Sequence, residues 1–327
     1  MEIIILLAMT SVHFVSVISV LLFYRFGRLS APGRLVLARA QLAGTLGPVG
    51  AFVVLYGAGV FVLTAGGLAL GELVQRVEGP VDRAVFEMME DHYDPQWADP
   101  VELVGRLGNV WQTRFVALLA IVVLTGVALW RRERPWVPAF LIGTSVLVQK
   151  FDQAALAKVV DRGHPPTTLG TFPSGGCARV LVIYGTITFL TLAYSRAGRA
   201  VKMWSWSAIV TLAYVEGYTR TYLNKHWVTD VFGGWAVGGA MLLVTVFAAR
   251  ALLDAGRMAP DGDAAPIRSN PDRTPRPRCV ERTGCSVGRN FSSSRFGRMR
   301  WLTAQTESPQ RAKAAPRMAD PVHPAAE

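Results

Sequence analysis

The chain has 327 residues, 51% hydrophobic and only 17% charged, with a formal net charge of +11. An ordinary soluble domain carries about 25% charged residues, and here no charged side chain stands between Arg39 and Glu72 or, His13 aside, between Glu2 and Arg25. Runs of about 18 or more apolar residues read as transmembrane helices, so composition excludes a soluble globular domain and indicates a multi-pass membrane protein.

The positive charge does not mark a nucleic-acid binder. Residues 254–327 hold 13 Lys/Arg against 8 Asp/Glu, and residues 1–253 hold 21 against 15. Much of the excess in the first part sits in short loops, where basic residues orient membrane helices. The three cysteines, Cys177, Cys279 and Cys285, are too few for a disulfide framework and lack metal-ligand spacing. Neither a metal nor a cofactor is expected.

Apolar segments fall at about 3–24, 48–71, 113–130, 135–158, 177–195, 203–222 and 228–253. They predict an all-α bundle of about seven membrane helices over residues 1–253. The first lacks a basic leader and a small-residue cleavage site, and arginines follow it, so it reads as an anchor. Loop 25–47 carries Arg25, Arg28, Arg34 and Arg39 without an acid; 131–134 carries three arginines and one acid; 196–202 carries Arg196, Arg199 and Lys202. The alternate segment 72–112 has nine acids against three arginines. The positive-inside rule then puts the N-terminus outside and the C-terminus in the cytoplasm of a cell-membrane protein. Segment 72–112 is expected to form a small extracytoplasmic cap with short helices around Val85 and Val101. Residues 254–327 hold 9 of the 19 prolines and no sustained apolar period, which predicts a disordered basic tail.

The depth of the ionisable residues is the informative pattern. Lys150, Asp152 and Lys158 lie toward the outer end of the fourth span, Arg179 at the outer start of the fifth, Glu216 and Arg220 at the outer end of the sixth, and His226 and Asp230 at the outer start of the seventh. Charges within spans are costly and face a bundle interior or a wet cavity. With Arg162 and Lys225 the cations outnumber the acids, and such a layer suits a phosphate held by forked, charge-assisted hydrogen bonds. The turn Phe172-Pro173-Ser174-Gly175-Gly176 leads into the fifth span, where free backbone N–H groups favour an anion. His226 and Asp230 are four residues apart, close enough for the carboxylate to fix an imidazole tautomer; the plainer alternative is an interfacial histidine and a helix-capping aspartate.

Three stretches together resemble the type 2 phosphatidic acid phosphatase superfamily, which includes membrane lipid phosphatases and soluble vanadium haloperoxidases. Its motifs are K-x6-R-P, P-S-G-H and S-R-x5-H-x3-D. This chain has Ala157-Lys158 through His164-Pro165, then Pro173-Ser174-Gly175-Gly176, then Thr219-Arg220 through His226 to Asp230. The resemblance covers roughly residues 48–250 and implies a six-helix core, with the first span an addition. It implies His226 as a nucleophile forming a phosphohistidine, Asp230 orienting it, and Arg220 binding phosphate with the backbone around Ser174 and Gly175.

Two motifs depart from the pattern. The leaving-group acid is replaced by Gly176, which has no proton to give, and the first motif has Ala157 and His164 in the lysine and arginine slots. Lys158, one place off, points about 100° away on a helix. Arg179, Arg162 and His164 stand as compensating candidates: Arg179 for the same phosphate, Arg162 for the missing arginine, His164 as proton donor. If the missing acid alone limits the chemistry, Gly176→His is expected to raise turnover on monoesters more than on pyrophosphates. The implied function is a lipid phosphatase or phosphotransferase acting at the extracytoplasmic face on a phosphatidate-like or polyprenyl phosphate or pyrophosphate substrate. The alternative is a catalytically weakened member that binds such a headgroup. The bilayer and the phosphorylated lipid are the expected partners, no nucleic acid is, and the oligomeric state stays open.

Overall fold

A computed structural model describes residues 2–26, 32–166 and 171–254. The tail expectation for 254–327 falls, apart from Asp254, outside the described residues. Among these residues all regular structure is helical. In chain order the helices are α1 (Glu2–Phe26), α2 (Gly33–Asp91), α3 (Pro95–Gly105), α4 (Val110–Trp130), α5 (Trp136–Val160), α6 (Gly175–Arg179), α7 (Gly185–Ser195), α8 (Arg199–Tyr222) and α9 (Val228–Asp254). A 3₁₀ turn, Arg106–Gly108, follows α3, and a π-helical turn, Val180–Tyr184, joins α6 to α7.

Helices cover all seven expected apolar segments, but among the described residues only four stretches are long and apolar enough to cross a membrane: Gly33–Arg76, Val110–Trp130, Gly175–Ser195 and Val228–Asp254. The apolar run in α1, Met9–Arg25, is shorter. Polar side chains interrupt the others. Helix α5 carries Gln149, Lys150, Asp152, Gln153 and Lys158, and α8 carries Lys202, Glu216 and Arg220. The expectation of seven spans is therefore not carried by length and apolarity alone.

Helix α2 corrects the expected cap. It is broken only at Gly47, whose φ of 72° is open to glycine and ahead of Pro48, which cannot continue the hydrogen-bond ladder from the preceding turn. From Pro48 it then runs unbroken to Asp91. At about 1.5 Å per residue this outruns a hydrocarbon core of about 30 Å, so Val85 belongs to the projecting end of a membrane helix and not to a separate short one. Around Val101 the expected helix forms as α3, where Asp94 caps the start by accepting from the Gln96 backbone N–H at 2.9 Å.

Helix α2 packs along α9, α1 along α8, and α4 along α5. Apolar side chains cannot drive helices together in lipid; close approach of small residues does. A Cβ on Gly238 of α9 would stand 2.7 Å from the Ala178 Cα, so these backbones touch. One buried cluster, around Phe52, Leu141, Leu190 and Ala249, closes the end where α4 stops and α5 begins. A second, around Leu156, Val182 and Met241, fills the middle. The third, Val74, Val160 and Phe172, lies under the opposite end, which holds the motif residues.

Candidate active site

The turn from α8 to α9 carries the best-matched motif. Asn224 takes a left-handed conformation (φ 51°), which asparagine tolerates, and the chain reverses through Lys225 and His226 into α9. His226 therefore precedes α9, and Asp230 lies in its first turn. The His226 Nδ1 lies 3.4 Å from Asp230 Oδ2, with the imidazole 15% exposed and the carboxylate fully buried. The same Oδ2 accepts the Trp227 backbone N–H at 3.2 Å. Asp230 is thus both the cap of α9 and the partner of His226, so the two readings of its spacing hold together.

A buried ion network stands behind this carboxylate. Arg162 Nη1 is 3.0 Å from Asp230 Oδ1, and Arg162 Nη2 is 2.6 Å from Asp82 Oδ2. Thr229 donates its backbone N–H to Asp82 at 3.0 Å and its hydroxyl at 2.7 Å. Arg162 consequently braces the start of α9 against the projecting end of α2. Asp82 did not emerge from the sequence, because it is one of nine acids in segment 72–112 and no motif includes it.

The turn before α6 meets this network. Ser174 is fully buried, and its backbone N–H donates to the Asp230 carbonyl at 2.9 Å. Gly234, one turn further along α9, lets the segment in: a Cβ there would be 2.6 Å from the Ser174 carbonyl oxygen. The Gln153 amide covers Gly175. Two residues beyond Ser174, Gly176 faces a second cluster.

That cluster is built on Arg220. Its Nε and Nη2 donate to Glu216 Oε1 at 2.8 and 2.7 Å, and Nη2 also reaches Gly105 O at 2.5 Å and Asn109 Oδ1 at 2.7 Å. Glu216 Oε2 accepts the Gly108 N–H at 3.1 Å. Arg179 donates from Nε to Gly108 O at 2.8 Å and from Nη1 to Gln153 Oε1 at 3.4 Å. The 3₁₀ turn between α3 and α4 is therefore held by two guanidinium groups, neither of which sequence motifs had linked to it.

A Cβ on Gly176 would stand 2.6 Å from Glu216 Oε1 and 3.2 Å from Arg220 Nε. The Glu216–Arg220 pair fills the space a side chain at 176 would enter. This corrects the expectation for Gly176→His: the histidine cannot simply be added, because it first has to displace a carboxylate held by three hydrogen bonds.

Segment 174–176 thus touches Asp230 at one end and Arg220 at the other, which brings Ser174, Gly175, Gly176, Arg179, Arg220, Arg162, His226 and Asp230 into one region. Two candidates sit differently. Lys158 is exposed on α5. His164 is exposed on the following loop, with Nδ1 donating to the Pro165 carbonyl at 2.8 Å, although the neighbouring Gly163 carbonyl accepts from Trp227 Nε1 at 2.9 Å. Of the wider charged layer, Asp152 is set deeper, accepting from Thr64 of α2 at 2.5 Å, and Lys150 is exposed beside the Phe151 ring. Among the described residues no group of three or more His, Cys, Asp or Glu side chains is placed to share a metal ion.

Comparison with known proteins matches these elements to one family. The family model of the PAP2 superfamily matches residues 111–252, from the start of α4 to the end of α9. Phosphatidylglycerophosphatase B of Bacillus subtilis (strain 168) is 25% identical over 130 residues, which make up 37% of this chain and 62% of that protein. The chain thus spans less than two thirds of that relative's length. A crystal structure described as the first transmembrane PAP2 type phosphatidylglycerolphosphate phosphatase from Bacillus subtilis aligns at a TM-score of 0.44 and 20% identity, over 57% of this chain and 93% of that one. Asp82 and the 105–109 turn lie outside the segment that the family model matches. Over residues 111–252, less than half of its length, the chain is similar to the PAP2 superfamily.

Proposed function

We propose that the protein is a membrane phosphatase or phosphotransferase that cleaves a phosphorylated lipid through a phosphohistidine on His226. The observation that carries this reading is the His226–Asp230 contact of 3.4 Å backed by the Arg162 ion pair. A proton on Nδ1, donated to Asp230, leaves the Nε2 lone pair for phosphorus, and the carboxylate stabilises the charge the ring acquires. As the Nε2–P bond forms, the bond from phosphorus to the leaving oxygen breaks and that oxygen takes the electron pair. Water then attacks the phosphohistidine, releasing phosphate and restoring His226. Arg220 and Arg179 supply the positive charge that phosphoryl transfer chiefly requires.

Gly176 leaves the first step without the usual proton donor. A phosphoanhydride departs as a stable phosphate, whereas an alkoxide needs a proton, so a polyprenyl pyrophosphate fits the site better than a phosphatidate-like monoester. The basic loops 131–134 and 196–202 lie at the end away from His226, which supports an extracytoplasmic active site by the positive-inside rule.

One observation favours the second reading, a weakened member that binds a headgroup: the Glu216 carboxylate already occupies Arg220. Phosphate release separates the two. Full-length protein in detergent is to be assayed on polyprenyl pyrophosphate, polyprenyl phosphate and phosphatidate. Release abolished by His226→Ala, with acid-labile and base-stable phosphate trapped on His226, supports the enzyme. Saturable binding of all three lipids without release establishes the binder.

A further inference from the structure

At the end of the bundle away from His226 the helices leave a cavity of about 810 Å³, in the size range of small-molecule sites. It opens among the turn after α4, the end of α7, the start of α8 and the end of α9. Arg131, Arg132, Arg196, Lys202 and Arg250 line it, against only Glu133 and Asp254. Asp254 is already paired with Arg39 at 3.1 Å, so the field inside is strongly positive.

The inner wall is apolar. Phe189, Leu192, Trp206 and Val246 line it, and the Arg250 guanidinium lies 5.6 Å from the Phe189 ring centroid, within cation–π reach. Trp130 and Trp204 on the same end are well exposed, as aromatic side chains are where a helix passes through the headgroup layer. A rim of cations over an apolar wall at headgroup depth matches one chemical class, a lipid with an anionic head and acyl chains. A soluble anion would leave the apolar wall wet, and a zwitterionic lipid would present its own cation to five others.

We infer that this cavity binds an anionic phospholipid at a site separate from the catalytic centre. The headgroup phosphate meets the cations, and the upper acyl chain lies on Phe189 and Trp206. Basic pockets between membrane helices hold acidic headgroups by this division of charge and apolar surface.

Lys202 reports occupancy directly, since it is exposed on the rim. Full-length protein in an uncharged detergent is to be acetylated with an amine reagent and modification at Lys202 quantified by mass spectrometry. The lipid-free protein is compared with protein in micelles containing phosphatidylglycerol, phosphatidylcholine or the water-soluble glycerophosphoglycerol. The site requires at least fivefold protection of Lys202 by phosphatidylglycerol and little by the other two, with exposed Lys150 unchanged. Arg196→Gln combined with Arg250→Gln should cut the apparent affinity about tenfold while leaving phosphate release on a short-chain substrate intact. Equal protection by phosphatidylcholine, or by glycerophosphoglycerol, overturns the anionic-lipid site. So does Lys202 already unreactive without lipid, since phospholipid would then not be what covers it. Unchanged protection in the double variant overturns it as well.

Discussion

Glu216 Oε1 lies 2.6 Å from the point where a Cβ on Gly176 would be. The residue missing from the second motif and the carboxylate one helical turn before Arg220 therefore share one volume. Restoring a histidine requires room as well as a proton.

Gly176→His alone should lower activity or leave it unimproved, because the ring breaks the Glu216–Arg220 pair. Combined with Glu216→Ala, which vacates the space, it should raise turnover on phosphate monoesters by at least tenfold over Glu216→Ala alone, toward the roughly 10²–10⁴ that general acid catalysis supplies. Pyrophosphate turnover should change little. Steady-state rates on both substrate types decide this. A single variant that outperforms the double one would show that Glu216 yields freely.

Asp230→Asn should keep most of the fold and lose about 10³–10⁴ in kcat, since an amide can present its N–H to Nδ1 and hold the wrong tautomer. KM should move less than kcat, because Arg220 and Arg179 do not touch Asp230. A loss confined to KM would assign the aspartate to binding.

Asp82→Ala should act on stability first. Removing one partner of a buried ion pair costs about 3–5 kcal/mol, and Arg162 would lose the carboxylate that holds its Nη2. Thermal unfolding in detergent should show a clearly lower Tm, with activity at low temperature falling in step with misplacement of α9. Arg162→Lys should not rescue the network, since a single ammonium cannot span both carboxylates as the guanidinium does.

Lys158→Ala should change kcat/KM by less than about threefold. Its side chain is exposed on α5, and a partly screened surface charge contributes little. A loss comparable to that of Arg220→Gln would show that the end of α5 rearranges around substrate.

The third motif was legible because its chemistry is local: Arg220, His226 and Asp230 sit on one helix end and the next helix start, so spacing alone sets their neighbourhood. The membrane class was equally legible from the empty charge map between Arg39 and Glu72. What escaped depends on distant partners. Arg162 read as a substitute phosphate ligand, yet it is engaged by Asp82, 80 positions earlier, on a helix whose length the sequence did not reveal. Little in the 105–109 turn marks it as the seat of Arg179 and Arg220, because beside the Asn109 side-chain oxygen it offers them backbone carbonyls, which any sequence has. Gly176 read as a vacancy, and only the packing shows that Glu216 fills it.

The π-helical turn Val180–Tyr184 makes the fifth apolar segment one residue longer per wide turn than a plain α-helix needs. Above it stand Gly176 and Arg179; below it Leu190 is locked into the core. Deleting a single residue from this turn would close it to continuous α-helix and leave both halves facing nearly as they do, whereas the same deletion in a plain α-helix would swing the upper part by about 100°. Arg179 would then keep the Gly108 carbonyl while Leu190 stays in the core. The wide turn thus works as a slip joint: it takes up one extra residue so that the core-locked half and the motif-bearing half hold their facings on one unbroken helix.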